Sequence, residues 1–264
     1  MIQVATSANT LVNEINKLLV DSRNYWSRDN LTFRRLESEA RKLLKANAAE
    51  GHNVLAQLYT LTGDIDEAIQ HVDAAINLRY DSAIVCNKAG LLVNFGKFQA
   101  AQEWFERGAA PERGQFTARW KIGLCAGSFH TLMRFGATAR KMELDLDQID
   151  LATVERAVRI FDEDKIDDVR LGAIFDVAGE LLREERVFFL GDGPEIFVWD
   201  RDAIERHVEV TFRLPVSSRR SIELDKELGR RLFAVGDFPF SILLHFESGL
   251  ESDERFSERF AAAG

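Results

Sequence analysis

The chain has 264 residues, with 34 Lys and Arg against 43 Asp and Glu, 46% apolar and 10% aromatic residues, and only 4 Pro. That composition excludes large-scale disorder and low-complexity or collagen-like character, and the length, beyond what one hydrophobic core usually fills, favours two domains. The N-terminal sequence has no basic stretch followed by a sustained apolar run, so neither a secretory signal nor a membrane span is expected and the chain reads as cytoplasmic.

Charge divides the chain. Residues 1–141 hold 18 Lys and Arg against 14 Asp and Glu, a net +4, which leaves 16 against 29, a net −13, for residues 142–264. The change of sign places a domain boundary near Met142. It also disfavours nucleic-acid binding by the second half, because phosphate contacts need a concentrated basic surface. In the first half Arg119, Lys121, Arg134, Arg140 and Lys141 offer a weaker nucleic-acid reading, because they spread around a helix and form no basic stripe.

Residues 9–47 are expected to be helical. Leu11, Ile15, Leu18 and Leu19 recur at helical spacing, with Tyr25 and Trp26 further on, and Asn9 or Thr10 is placed to cap the start. A second helix follows, with an apolar stripe of Phe33, Leu36, Ala40, Leu43 and Leu44 opposite charged residues. This pair suits a degenerate repeat or a cover for the repeats that come next.

Between Ala48 and Gly108 two helical hairpins repeat each other. At a spacing of 33, Ala56 falls on Ala89, Tyr59 on Leu92, Gly63 on Gly96, Ala68 on Ala101, Val72 on Phe105 and Ala75 on Gly108. Small residues let two helices approach, large apolar ones fill the space between successive pairs, and the glycines suit a left-handed turn. The pattern resembles the tetratricopeptide repeat family, with two recognisable repeats in residues 48–108. After a break at "APERGQ", residues 115–141 resume a helical pattern in which Gly123, at a spacing of 34 from Ala89, takes the small position, with Phe116, Trp120 and Leu124 along one face. No clean glycine turn is expected there, so the segment reads as a divergent third unit or a docking helix.

The second half is expected to be α+β with a small mixed sheet. Asp150 is placed to cap a helix carrying Leu151, Val154, Val158 and Phe161, and a helix over 166–185 carries Ile166, Val169, Ala173, Ile174, Val177 and Leu181. "RVFFLG" and "EIFVWD", separated by Gly191, Asp192, Gly193 and Pro194, read as a β-hairpin. Both are apolar on two faces, which calls for a covered sheet or one joined to another copy. "HVEVTFRLPV" alternates, with Val208, Val210, Phe212 and Leu214 on the core face. A helix from Ser218 to Val235, with Ile222, Leu228, Leu232 and Val235 inward, and a last strand in "FPFSILLHFES" complete a crossover. The tail after Gly249 is helical or frayed.

Signals for chemistry are sparse. His207 with Glu209 and His245 with Glu247 form two His-x-Glu pairs that adjacent strands could bring together as ligands or an acid/base set, against the ordinary reading of a solvated sheet face shared with Thr211, Arg213 and Ser241. "LGDGPE" lacks the lysine and helix of a phosphate loop. The acidic run Phe161 to Asp168 lacks the glycine of a calcium loop. Cys86 and Cys125 match no metal-ligand spacing and are expected as reduced, packed thiols. Cys125 and His130 fall on different helix faces, and His52 and His71 have no partner in the sequence.

The resemblance supplies a site instead. In the family, groove positions lie three residues before and one and four after the small residue. Here they fall on Asn53, Gln57 and Thr60, then on Cys86, Gly90 and Val93 with Asn94 at the border, and in the third unit on Trp120, Leu124 and Gly127. Asn and Gln suit an extended main chain and Trp120 an apolar anchor. The Lys and Arg that grip a terminal carboxylate in some relatives are absent from these positions. The reading is a helical repeat domain over 1–141 and an acidic α+β domain over 142–264. Its expected function is that of a non-enzymatic adaptor or assembly factor without cofactor, catalytic set or bound metal. It takes a peptide or helix of a protein partner in the groove and self-associates through its second domain. Two alternatives stand beside it. In one, the molecule's own N-terminal helix or its acidic second domain fills the groove. In the other, the second domain is a small-molecule or metal sensor, or an enzyme, built on His207, Glu209, His245 and Glu247.

Overall fold

The computed structural model describes residues 2–108, 111–112, 115–147, 149–189, 193–200, 206–236 and 238–250. In chain order the helices are α1 (Ile2–Asp21), α2 (Leu31–Ala46), α3 (Ala48–Thr60), α4 (Ile65–Leu78), α5 (Ser82–Asn94), α6 (Phe98–Gly108), α7 (Phe116–Cys125), α8 (Phe129–Lys141), α9 (Leu151–Glu163) and α10 (Asp168–Glu185). They are followed by β1 (Glu195–Asp200), β2 (Arg206–Leu214), α11 (Ser218–Val235) and β3 (Ile242–Ser248). The chain is thus mostly helical with one small three-stranded mixed sheet. Among the described residues no helix is long and apolar enough to cross a membrane.

Helices α3 to α8 form three antiparallel hairpins, α3 with α4, α5 with α6 and α7 with α8, and α5 also packs on α3, α4 and α7. Their turns share one geometry. Gly63, Gly96 and Gly127 all have positive φ, at +73°, +60° and +72°. In each turn the glycine N–H donates to the carbonyl three residues back, and the next N–H reaches the carbonyl five residues back: Asp64 to Tyr59, Lys97 to Leu92 and Ser128 to Gly123. A side chain would resist that left-handed position, so glycine stands at all three.

The third hairpin therefore does have its glycine turn, which the sequence reading did not assign to Gly127. The turn also resets the register. Counting back from the turn glycines aligns Trp120 with Ala56 and Ala89, and Gly123 with Tyr59 and Leu92. Small and large positions are exchanged in this hairpin: a Cβ on Gly123 would lie 2.5 Å from the Phe105 ring, and Trp120 approaches Gly136 of α8. Size complementarity is kept by swapping the partners, as close packing requires.

At the N-terminus α1 starts at Ile2 rather than near Asn9 or Thr10, and it packs against α2 and α3 through Leu11 and Ile15. The α2 stripe is inward as expected, and the Asn30 side chain accepts from Thr32 N and Phe33 N.

In the second half α9 is capped by Asp150, whose Oδ1 accepts from Thr153 N at 3.0 Å. It lies on β1, β2 and α8. The expected hairpin of "RVFFLG" with "EIFVWD" does not form. Val187 makes an isolated antiparallel bridge to Asn24, Phe188 N donates to Arg23 O and Tyr25 N to Arg186 O, so this segment closes on the α1–α2 connection. The hairpin is instead β1 with β2, antiparallel, and β3 joins β2 in parallel through α11, giving the order β1-β2-β3. Apolar content marked "RVFFLG" for burial, and an ordinary buried segment satisfies that as well as a strand. The turn residues Gly191 and Asp192 and the tail from 251 lie outside the described residues.

Four inward assignments also fail: Val169, Ala173, Ile222 and Val235 are exposed, and α11 buries Leu224, Leu228 and Leu232 against β3. The sheet's inner face of Val208, Val210, Phe212, Leu214, Ile242, Leu244 and Phe246 is buried. Phe212 sits among Phe98, Phe175, Phe189 and Phe246, with ring centroids 5.6 to 6.2 Å apart, so one apolar core runs from the hairpins into the sheet.

Helix α10 makes this junction. Asp168, Gly172, Asp176, Gly179 and Arg183 recur every three or four residues and so share one face. Asp168 accepts from the N–H groups of His130 and Thr131 and caps α8; Asp176 accepts from those of Phe98 and Gln99 and caps α6. Arg183 Nη1 donates to the carbonyls of Phe95 and Gly96 at the end of α5, at 2.9 and 2.6 Å. Gly172 and Gly179 let the helix close on Gln102 and on Gly96. Acids at two helix N-termini and a cation at a helix C-terminus also complement the helix dipoles.

Candidate functional site

The positions singled out from the sequence lie on α3, α5 and α7, the helices that open each hairpin. On α3 they are covered. Asn53, Gln57 and Thr60 are all buried, and α1 packs on this helix. Thr60 Oγ1 donates back to Ala56 O, Asn53 Oδ1 accepts from Asn87 Nδ2 at 3.2 Å, and the buried Gln57 Oε1 has no hydrogen-bond partner among the described residues. The three α3 positions are thus covered, with α1 packed on their helix.

On α5 some of the positions border a recess. Cys86 is buried, its thiol donating to Gly108 O at 3.3 Å, and burial pushes its pKa up. Gly90, Val93 and the half-buried Asn94 instead line a recess of about 230 Å³. Asn16, Leu19 and Val20 of α1, Lys121, Ile122 and Cys125 of α7, and Phe188 and Phe189 complete its lining. Ile122 Cδ1 lies 3.6 Å from where a Gly90 Cβ would stand, so the missing side chain directly widens the recess.

On α7 the turn-based register brings Lys121 to the position of Gln57 and Gly90. Trp120 is 3% exposed and packed beside Phe116 and Gly136, so it offers no anchor on the wall. Leu124 is half-buried, and Gly127 is the turn glycine against Phe175. Of the residues singled out from the sequence, the structure brings Gly90, Val93 and Asn94 together at the recess. Asn53, Gln57, Thr60, Cys86 and Trp120 lie in packed surroundings. Lys121 and Cys125 fall on the positions of Gly90 and Asn94 in the register that Gly127 sets, and that glycine, aligned with Gly63 and Gly96, was the sequence signal available for them; Ile122 has no such counterpart.

Electrostatics around the recess are mild. Cys86 and Cys125 are both buried, and neither is in a disulfide. His52 and His71, which had no sequence partner, meet through their Nδ1 atoms at 2.8 Å on the α3–α4 hairpin, with His71 stacked on Tyr59 at 5.5 Å. Burial lowers the pKa of both, and His52 lowers that of His71 further. Tyr59 is pushed up to about 12 by burial and by its hydrogen bond to Glu37.

The sheet carries the His-x-Glu pairs on its outer face. His245 Nε2 shares a 2.8 Å hydrogen bond with Thr211 Oγ1 and lies 3.5 Å from Glu209 and 3.8 Å from Glu247. His207 instead stacks on Trp199, whose Nε1 donates to Glu209 at 2.9 Å. Among the described residues no group of three or more His, Cys, Asp or Glu is arranged to hold a metal ion. Neither a protein-family model nor a curated protein nor a solved structure matches the sequence.

Proposed function

We propose that the chain is a non-enzymatic interaction protein of the tetratricopeptide-repeat type it resembles, and that it takes a partner polypeptide at the recess between α1, α5 and α7. The observation that carries this reading is the composition of that recess. Most of its lining is apolar, Gly90 leaves room for a backbone to approach, and Asn16, Asn94 and Lys121 add amide and ammonium groups to that lining. A volume near 230 Å³ lies below the range typical of enclosed small-molecule sites, but it suits one or two apolar side chains of a polypeptide whose remainder lies outside. The shared turn geometry at Gly63, Gly96 and Gly127 supports the repeat reading, and the closure of α3 by α1 limits the usable wall to α5 and α7.

Gly90→Leu tests it. The new side chain occupies the recess and replaces a helix-interior glycine with a strong helix former, so the fold is retained while the recess is blocked. Proteins captured from the source cell are to be quantified on the wild-type chain and on the variant. A partner lost from the variant and restored by Gly90→Ala is the expected result; a partner set unchanged by the block contradicts the proposal.

A further inference from the structure

The two edges of the sheet are treated differently. In β2, Val208 N donates to Ser241 O, so the backbone groups of Val208 and of alternate residues along β2 face β3, while those of His207, Glu209 and Thr211 face β1. Their partners on β1 are Trp199, Phe197 and Glu195. The N–H and C=O groups of Ile196, Val198 and Asp200 therefore point away from the sheet. Among the described residues nothing accepts or donates to them. At the other edge, Phe246 N on β3 donates to Asp225 of α11 at 3.0 Å, and α11 packs on β3. One edge is blunted by a helix and its carboxylate; the other presents a row of free donors and acceptors, a template for a further strand.

We propose that β1 is the seam of a homodimer, in which the β1 strands of two copies pair antiparallel across a two-fold axis at Val198 and join the two sheets into one of six strands. The proposal stands independently of the recess described above. Directly opposed residues must share a face, and the hydrogen-bonded pairs must use the outward groups. With the axis at Val198, Ile196 lies opposite Asp200 of the second copy, and Phe197 lies opposite its Trp199 on both sides of the axis.

Phe197 and Trp199 are 40% and 37% exposed, unusual for aromatics on a strand, and this register sets each beside the other's ring in the second copy, in addition to the stack of Trp199 on His207. The alternative centred on Phe197 places Glu195 opposite Trp199 and sets the Glu195 carboxylate, which Arg213 holds at 2.9 Å, against an apolar ring. Asp200 enters the seam already paired to Arg206 at 3.1 Å. The concave surface beside the strand, about 530 Å³, mixes Asp150 and Asp200 with Arg156. A surface that meets its own copy needs both signs, because an edge of one sign repels itself.

Val198 supplies two variants for the test. Because its N–H points outward, Val198→Pro removes a seam donor and no bond to β2, and proline is tolerated on such an edge. Val198→Cys places two thiols opposite each other across the axis, where the Cα separation of a hydrogen-bonded pair, about 5.5 Å, falls within disulfide reach. Light scattering after size exclusion on the full chain should give a dimer for wild type and a monomer for Val198→Pro with unchanged circular dichroism. Diamide, which takes up the two electrons and two protons of the thiols, should convert Val198→Cys, but not Ile196→Cys, to a covalent dimer. A monomeric wild type at about 100 μM, far above the Kd of an ordinary stable dimer, overturns the proposal. So does a dimer that survives Val198→Pro, and so does the absence of a Val198→Cys crosslink.

Discussion

Gly179 of α10 meets Gly96 of the α5–α6 turn backbone to backbone: a Cβ on Gly179 would stand 1.9 Å from the Gly96 carbonyl oxygen. The obstacle is main chain at a left-handed turn, which cannot step aside as a flexible side chain can. Gly229 of α11 has nothing within 4 Å of its Cβ position. The same substitution therefore acts with opposite sign at the two sites. Gly179→Ala should cost about 1–3 kcal/mol or more through overpacking, and Gly229→Ala should gain about 0.5–1 kcal/mol through helix propensity. Urea unfolding of both variants checks the pair; equal effects refute the packing of α10 on the turn.

The capping acids of α10 give a second set of values. Removing either Asp168 or Asp176 leaves the first N–H groups of α8 or α6 without their acceptor, so each alanine variant should lose about 1–2 kcal/mol. Eight residues along a helix separate them by about 12 Å, and the losses should add in the double variant. Burial raises the Asp176 pKa against the lowering effect of the Gln99 and Phe98 amides, so its charge is not favoured there. Asp176→Asn, which keeps an acceptor without the charge, should cost clearly less than Asp176→Ala.

The histidine pair predicts a pH dependence. A hydrogen bond between the two Nδ1 atoms allows one of them to carry a proton but not both. Both folded pKa values lie below the ordinary 6.5. The unfolded chain therefore takes up protons first as pH falls, and stability is full above about 6.5 and declines below it. His52→Gln with His71→Gln should flatten the stability curve between about pH 5 and 6.5, as read by thermal unfolding across that range. A curve of unchanged slope would show that these histidines titrate alike in both states.

Gln57 Oε1 is a buried acceptor without a partner among the described residues, which costs about 1–3 kcal/mol. Gln57→Leu, of similar size, should be neutral or stabilising in chemical denaturation. A loss above about 1 kcal/mol would mean that the amide is bonded in solution.

Much of the fold was legible because it rests on local rules. The α2 stripe, the Asp150 cap, the alternating β2 and the 33-residue match of Gly63 with Gly96 each follow from residue type and spacing. The third hairpin was misregistered because its bulk is inverted: Gly123 looks like the small position, and only the turn at Gly127 reveals that Trp120 occupies it. The edge partner of Val187 depends on Asn24, over a hundred residues away, which no local pattern encodes. The site was legible to the extent that Gly90, Val93 and Asn94 lie on one open wall. The covering of Asn53, Gln57 and Thr60 was legible only as an alternative, since it depends on where α1 docks.

The recess at Gly90 is the central claim, and photo-crosslinking tests it most directly. Benzoylphenylalanine is to be placed at Asn94, on the recess, and separately at Leu78, which is 57% exposed at the end of α4. A partner polypeptide captured from Asn94 and not from Leu78 is the result the account predicts; capture from neither, or equally from both, would contradict it.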